Sequence, residues 1–191
     1  MDYPLPEAAR RYVAAHLHDD PAHLALQARR HPGLPVPELV RQIQARQKAR
    51  AKLPAWADNP ELIFPPALSV EQASSARTAA FKANLVGGQR LADLTGGFGA
   101  DSAAFAARVA QVDYVERAPA LAEVVRYNFR QLGLTNVAVH ATDALTFLKS
   151  THGHEAVNQK QGFLAPVVVE VRQGFGVASQ VGPQVLAKKT C

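Results

Sequence analysis

Between Asp93 and Asp101 the chain reads Asp-Leu-Thr-Gly-Gly-Phe-Gly-Ala-Asp. This run stands between a short apolar strand, Arg90-Leu91-Ala92, and an alanine-rich helix expected over Ser102 to Val109. Glycine has no Cβ, so such a junction lets the backbone turn sharply and come close to a ligand. The helix that follows offers unpaired N–H groups and the positive end of its dipole. Strand, glycine turn and helix in that order point to an alternating α/β fold with a nucleotide-like ligand.

The residues downstream extend the pattern. Val112 to Val115 reads as a second strand ending at Glu116, and Pro119 lies just inside a second helix. Leu121, Val124, Val125, Phe129 and Leu132 line one face of that helix, and Gly133 is placed to end it. Val137 to Val139 reads as a third strand, and Asp143 opens a third helix reaching Leu148. Short strands alternating with helices imply a parallel sheet with right-handed crossovers. Residues 67–150 therefore read as half of a Rossmann-like sheet.

Residues 1–66 read as a small all-helical, proline-punctuated domain. Helices are expected from Pro6 to His18, from an Asp20-Pro21 start, and from Pro37 to about Lys52. Leu53-Pro54 and Phe64-Pro65-Pro66 read as extended linkers, because a residue before proline avoids helical dihedrals. Ser69 to Gln72 matches a capping box, which would open one helix running to Leu85. Residues 151–191 differ in composition: valine, glutamine and glycine dominate, no Asp follows Asp143, and Leu164 to Val171 is the one strand-like run.

Composition narrows the function classes. The chain has 191 residues, 48% of them hydrophobic and 19% charged, which suits a globular core. Its single cysteine, Cys191, rules out an internal disulfide and fits a reducing cytoplasm. No run approaches the roughly 20 apolar residues of a membrane span, and Met-Asp-Tyr-Pro-Leu-Pro-Glu is no signal peptide. A net charge of +5 is compatible with an anionic partner such as RNA.

Three acidic residues fall at the carboxyl ends of successive strands: Asp93, Glu116 and Asp143. Ligands of open α/β sheets bind outside those ends. A carboxylate after the second strand suits the two hydroxyls of a ribose, and one after the third can meet an adenine amino group. Asp93, beside the glycines, can pair with a cationic amine. Taken singly, a carboxylate such as Asp93 or Asp143 at a strand end caps a helix or turn more often than it binds a ligand, and the three together carry the functional reading. Asp101 either caps the helix from Ser102 or reaches the same amine. A dinucleotide fingerprint needs a third glycine, and Ser102 stands where it belongs. The Gly96-Gly97 pair, the Thr95 hydroxyl and Asp143 favour S-adenosylmethionine (SAM) over NAD.

Residues 42–148 resemble bacterial class I SAM-dependent methyltransferases with a helical N-terminal region and a THUMP-like or ferredoxin-like C-terminal part. The matching stretches are Lys52 to Trp56, Phe64-Pro65-Pro66, Glu71 to Ser75, Asp93 to Asp101, Tyr114-Val115-Glu116, Asn128-Phe129 and Thr142-Asp143-Ala144. The resemblance implies SAM as cofactor, with Gly96, Gly97 and Gly99 around its methionine end, Glu116 on the ribose and Asp143 on the adenine. RNA is the substrate class it implies. Such enzymes also carry a fourth-strand Asp-Pro-Ala-Arg or Asp-Pro-Pro-Arg motif that positions the acceptor nitrogen. Here His152 to Gln161 contains nothing of the kind. The catalytic residues are therefore unassigned. The expectation is a truncated or frame-shifted copy, weakly active or inactive, whose residues 151–191 pack loosely.

Two further clusters carry bland readings beside functional ones. Arg41, Arg46, Lys48, Arg50 and Lys52 place five positive charges in twelve residues, either a phosphate-binding face or a solvated helix surface. As a phosphate-binding face they would serve an alternative function, a non-catalytic RNA-binding or scaffold protein. His16, His18, Asp19, Asp20 and His23 do not share one helical face, so no metal site is expected. Trp56 reads as a packing anchor, and Thr78 and Lys82 lie on the cofactor side of the helix before the first strand.

Overall fold

The structure is a computed structural model that describes residues 5–151 and 168–171. The chain opens with α1 (Glu7–Ala15), α2 (Pro21–Leu26), a 3-10 turn (Ala28–Arg30), α3 (Val36–Ala49) and α4 (Pro54–Ala57). Then come α5 (Ala67–Gln72), α6 (Ala76–Ala83), β1 (Arg90–Asp93), α7 (Ala100–Phe105) and β2 (Gln111–Glu116). The described part closes with α8 (Pro119–Gln131), β3 (Val137–Ala141), α9 (Ala144–Thr151) and β4 (Val168–Val171). Among the described residues no helix is long and apolar enough to cross a membrane.

Helix starts follow local chemistry. Asp20 caps α2, its Oδ1 accepting from Ala22 N at 2.9 Å with Pro21 at the first helical position. The expected capping box at Ser69 is corrected: Ser69 lies inside α5, which Pro66 introduces from an extended backbone. Ala73 is extended as well, with ψ 149°, so the expected long helix breaks there. Ser75 then caps α6, accepting from Thr78 N at 3.1 Å. Pro54 likewise starts a short helix rather than continuing a linker, after a non-helical Leu53 at φ −134° and ψ 62°. Gly133, at φ 69°, ends α8 with Leu134 N on Phe129 O and Gly133 N on Arg130 O, the paired bonds of a left-handed C-cap.

α3 carries two buried stripes, each at i, i+3, i+4, i+7 spacing. Val36, Leu39, Val40 and Ile43 pack with Leu5, just before α1, and with Tyr12, Val13 and Leu24 of the first two helices. Gln42, Ala45, Arg46 and Ala49 face the segment after α4, where Leu62, Ile63 and Phe64 are at most 2% exposed without regular secondary structure. Buried backbone outside a helix or sheet must find side-chain partners. Gln42 bonds both Phe64 N and Phe64 O, at 2.8 and 2.6 Å. Asn128 on α8 does the same for Ile63, at 2.9 and 2.7 Å. Arg46 donates to the carbonyls of Ala57, Asn59 and Leu62 at 2.6 to 2.9 Å, and to Pro60 O at 3.4 Å. Its guanidinium also lies 4.8 Å from the Phe64 ring centroid. Burial pushes the Arg46 pKa down to about 10.

β1, β2 and β3 are parallel, with Asp93 opposite Tyr114 and Val115 opposite His140. The sheet order is β3-β2-β1-β4, and β4 runs antiparallel to β1 with Asp93 opposite Val168. The expected strand over Leu164 to Val171 is thus seen at its last four residues; the rest of it, and the loose packing expected of residues 152–167 and 172–191, lie outside the described residues. Residues from both sides of position 66 share one core: Ala45, Ala49, Leu53, Leu62 and Phe64 meet Phe98, Tyr114, Val125 and Phe129.

On β2, Asp113 is 1% exposed and bridges three strands. It accepts from Arg90 Nε at 2.5 Å and faces His140 Nε2 at 2.9 Å. Burial alone would raise its pKa, but the bonds and charges of Arg90 and His140 outweigh it and hold the carboxyl below its usual value. A depressed folded pKa contributes stability above the unfolded value that is lost as pH falls through the folded one. Asp113→Asn should therefore flatten the acid limb of a stability–pH curve; an unchanged limb would show the triad contributes nothing. Arg46→Ala, which orphans three to four carbonyls, should cost about 3 kcal/mol. That loss is read as a lower urea midpoint at unchanged slope. An unchanged midpoint would mean water replaces the guanidinium freely.

Candidate functional site

The glycine run forms the turn from β1 into α7. Gly96 N donates to Val115 O at 3.0 Å, which ties the turn to β2, and Gly99 N donates to Gly96 O at 2.8 Å. The three glycines do different work. A Cβ on Gly96 would stand 2.2 Å from Tyr114 Cε2, and one on Gly99 would stand 2.8 Å from Phe129 Cζ. At these two positions the missing side chain makes room for the protein's own rings. Gly97, at φ +52°, has only Thr95 O near that space among the described residues, at 3.8 Å, so it is the glycine open to a ligand. Tyr114 fixes the same residue from below, donating its hydroxyl to Gly97 O at 2.6 Å. Phe98 is held between Trp56 and Phe64, at ring centroid distances of 5.0 and 5.2 Å. The anchor expected of Trp56 thus reaches the turn itself.

Four carboxylates were singled out at this end of the sheet, and their surroundings differ. Asp93 is 1% exposed, accepting from Thr95 N at 3.2 Å and from Ser102 Oγ at 2.6 Å. Burial raises its pKa, against the pull of both hydrogen bonds; the Asp101 charge adds to the rise and Lys82 opposes it. Asp101 accepts from Ser74 Oγ at 3.0 Å and Lys82 Nζ at 2.6 Å. Its other oxygen, Oδ1, is buried with no partner among the described residues. Glu116 sits at the rim, accepting from Gly97 N at 3.1 Å and Ala118 N at 2.8 Å. Asp143 is exposed and caps α9, accepting from Thr146 N at 2.9 Å and Thr146 Oγ1 at 2.6 Å. Those two bonds hold its pKa below the usual carboxylate value.

Asp93, Thr95, Gly96, Gly97, Gly99, Asp101 and Glu116 are thus brought together around one turn. Asp143 and Ala144 stand after β3, at the start of α9. An orphaned acceptor beside an open glycine fits a ligand that brings a cationic amine to the turn. Ser74, Lys82 and Ser102 belong to the same cluster. Lys82 was legible only by its position before β1; Ser102 carried a signal only as the missing third glycine.

The basic run is not one free face. Arg46 is the buried guanidinium described above, so its reading as a surface phosphate contact is corrected. Arg41 pairs with Glu38 at 2.6 Å, Lys48 with Glu71, and Arg50 with Asp58 at 3.5 Å. Lys52 donates to the carbonyls of Glu71 and Ala73. Near α1, His16 pairs with Asp19 at 2.6 Å, and no group of three or more metal-type ligands occurs among the described residues.

No protein-family model matches the chain, and no curated protein matches it. A crystal structure of a candidate methyltransferase from Porphyromonas gingivalis W83 is similar, with 29% sequence identity and a TM-score of 0.64. The likeness covers 75% of this chain and 36% of that one. The fold is accordingly an incomplete Rossmann-like methyltransferase fold.

Ring packing against Gly96 gives a direct test. Gly96→Ala should destabilise by about 3 kcal/mol, the upper end for overpacking a rigid site, and Tyr114→Ala in the same chain should recover part of that loss. Calorimetric melting of the two variants checks this. A Gly96→Ala protein that melts like the parent would show that the ring moves aside without cost.

Proposed function

We propose that this chain binds S-adenosylmethionine at the Asp93–Asp101 turn and belongs functionally with the SAM-dependent methyltransferases. The observation that carries the reading is the buried Oδ1 of Asp101, without a partner among the described residues, at the end of a turn whose Gly97 leaves open space beside the backbone. The methyltransferase fold shared with the Porphyromonas gingivalis protein supports it.

Each group has a role that its chemistry suits. Gly97 lets the methionine end lie against the backbone, and Asp101 takes the amine. Glu116 accepts the ribose hydroxyls at the carboxyl end of β2. Asp143 takes the adenine amino group after β3, exchanging part of its bonding to Thr146. When bound, SAM supplies a methyl group on a sulfonium. Catalysis in such a site is mostly orientation of an acceptor toward that carbon. RNA is the acceptor class we put forward, on the net charge of +5. With no Asp-Pro-Ala-Arg-type run in His152 to Gln161, turnover by this chain is weak or absent.

Titration calorimetry with SAM should show saturable binding that disappears in Asp93→Ala and Glu116→Ala. A folded parent that takes up no SAM would overturn the reading. Methyl transfer to bulk RNA at an ordinary enzymatic rate of about 1 per second or faster would overturn the weak-turnover part alone.

A further inference from the structure

Lys82 and Ser74 stand outside every role given so far, yet they meet the turn at its most buried carboxylate pair. Lys82 Nζ lies 2.6 Å from Asp101 Oδ2 and 2.9 Å from Ser74 Oγ, and Ser74 Oγ donates to Asp101 Oδ2 at 3.0 Å. The three groups close a triangle. The Lys82 and Asp101 side chains are only 17% and 14% exposed. An ammonium has three donors, and two are used here, leaving one for a ligand. The second oxygen of Asp101, Oδ1, takes no part in the triangle and is a buried acceptor without a donor among the described residues. The cluster thus offers a cationic donor and an anionic acceptor side by side at the start of α7, where Asp101 follows Gly99 by two residues.

A ligand that satisfies both carries a carboxylate and an ammonium on neighbouring atoms, which is the chemistry of an α-amino acid end. A simple amine would meet the Asp101 acceptor and leave the Lys82 donor unused. A nucleotide phosphate would meet Lys82 but would be set against Asp101 and Asp93. We infer that Lys82, held by Ser74, binds the carboxylate of the amino-acid end of the cofactor while Asp101 binds its ammonium. This rests on the SAM reading and sharpens it: the discriminating feature of the site is the zwitterion, and the residue that reads its negative half comes from α6, outside the glycine turn. Ser75 supports this placement by capping α6 through Thr78 N, which fixes where Lys82 emerges.

The alternative is an ion pair that only ties α6 to α7. Calorimetry with three ligands separates the two: SAM, its decarboxylated analogue, and 5′-methylthioadenosine, which lacks the amino-acid end. The parent protein should bind SAM about tenfold more tightly than the decarboxylated analogue, a modest value for one charged hydrogen bond. Lys82→Met should erase that preference and leave methylthioadenosine binding unchanged. Asp101→Asn should weaken SAM and the decarboxylated analogue together. Equal affinity of the parent for SAM and the decarboxylated analogue would overturn the inference without recourse to any variant. So would a folded Lys82→Met protein that keeps the parent's preference. Binding of none of the three ligands by the parent would instead bring down the SAM reading itself.

Discussion

The structure depends on a stretch of buried backbone that has no helix or sheet to satisfy it. Leu62, Ile63 and Phe64 cross the interior between α3 and α8, and their peptide groups would each cost free energy if left unpaired. Three side chains prevent that: Gln42 and Arg46 from α3, and Asn128 from α8. Each is a long-range contact, 16 to 65 residues away in sequence. The consequence reaches the site. With Phe64 fixed, Phe98 at the centre of the glycine turn is held between it and Trp56. The N-terminal helices are in this sense the floor of the turn, and loosening Arg46 loosens the turn from beneath.

The carboxylates around the turn show where function and stability pull apart. Asp113 lies within the sheet with two cationic partners, and its lowered pKa marks a charge the fold welcomes. Asp93 is equally hidden, but its raised pKa marks a charge the fold resists, since burial there exceeds what Ser102 and Thr95 return. The signs are opposite: Asp113 stabilises the protein as pH rises through the acid range, whereas Asp93 gives up stability as pH rises through its raised value. A carboxylate kept where it costs stability is characteristic of a binding site. Asp101 carries the same mark in its unpartnered oxygen. An incoming cation would relieve both.

How far the sequence could be read follows from how local each determinant is. The glycine turn, the Asp20 cap and the Gly133 stop are written in a few adjacent residues, and all three stand where the pattern put them. The start of the helix after Pro66 was misread because two local signals compete there. Pro65-Pro66 sets an earlier start, and Ser75 offers a cap that Ser69 would have made unnecessary. Gln42, Arg46 and Asn128 had no local signature at all, because a polar residue on a helix looks the same whether it faces water or a buried carbonyl. Arg46 accordingly passed for part of a basic surface. Gly96 and Gly99 were recognisable as glycines that matter, but what they make room for, Tyr114 and Phe129, lies 18 and 30 residues further on. Ser74 was visible only as part of the resembling Glu71–Ser75 stretch, and Lys82 only by its place on the cofactor side of the helix before β1.

The direction of β4 sets what the sheet can present beside the glycine turn. In a sheet ordered β3-β2-β1, the ligand lies beyond the carboxyl ends, and a parallel fourth strand beside β1 would deliver its own following residues to that same place. The fourth-strand motif of the resembling methyltransferases depends on that delivery. Here the strand beside β1 is antiparallel, so Val168 at its start stands opposite Asp93, and Val171 at its end stands opposite Arg90 at the far side of the sheet. The turn and its neighbours on β1, β2 and α6 are held by contacts among themselves, and β4 brings its first residue, not its last, to that side of the sheet. A sheet edge closed in this manner protects β1 from pairing with other chains. It also leaves the glycine turn tied to β2, through Gly96 N on Val115 O and Tyr114 on Gly97 O, by contacts in which β4 takes no part.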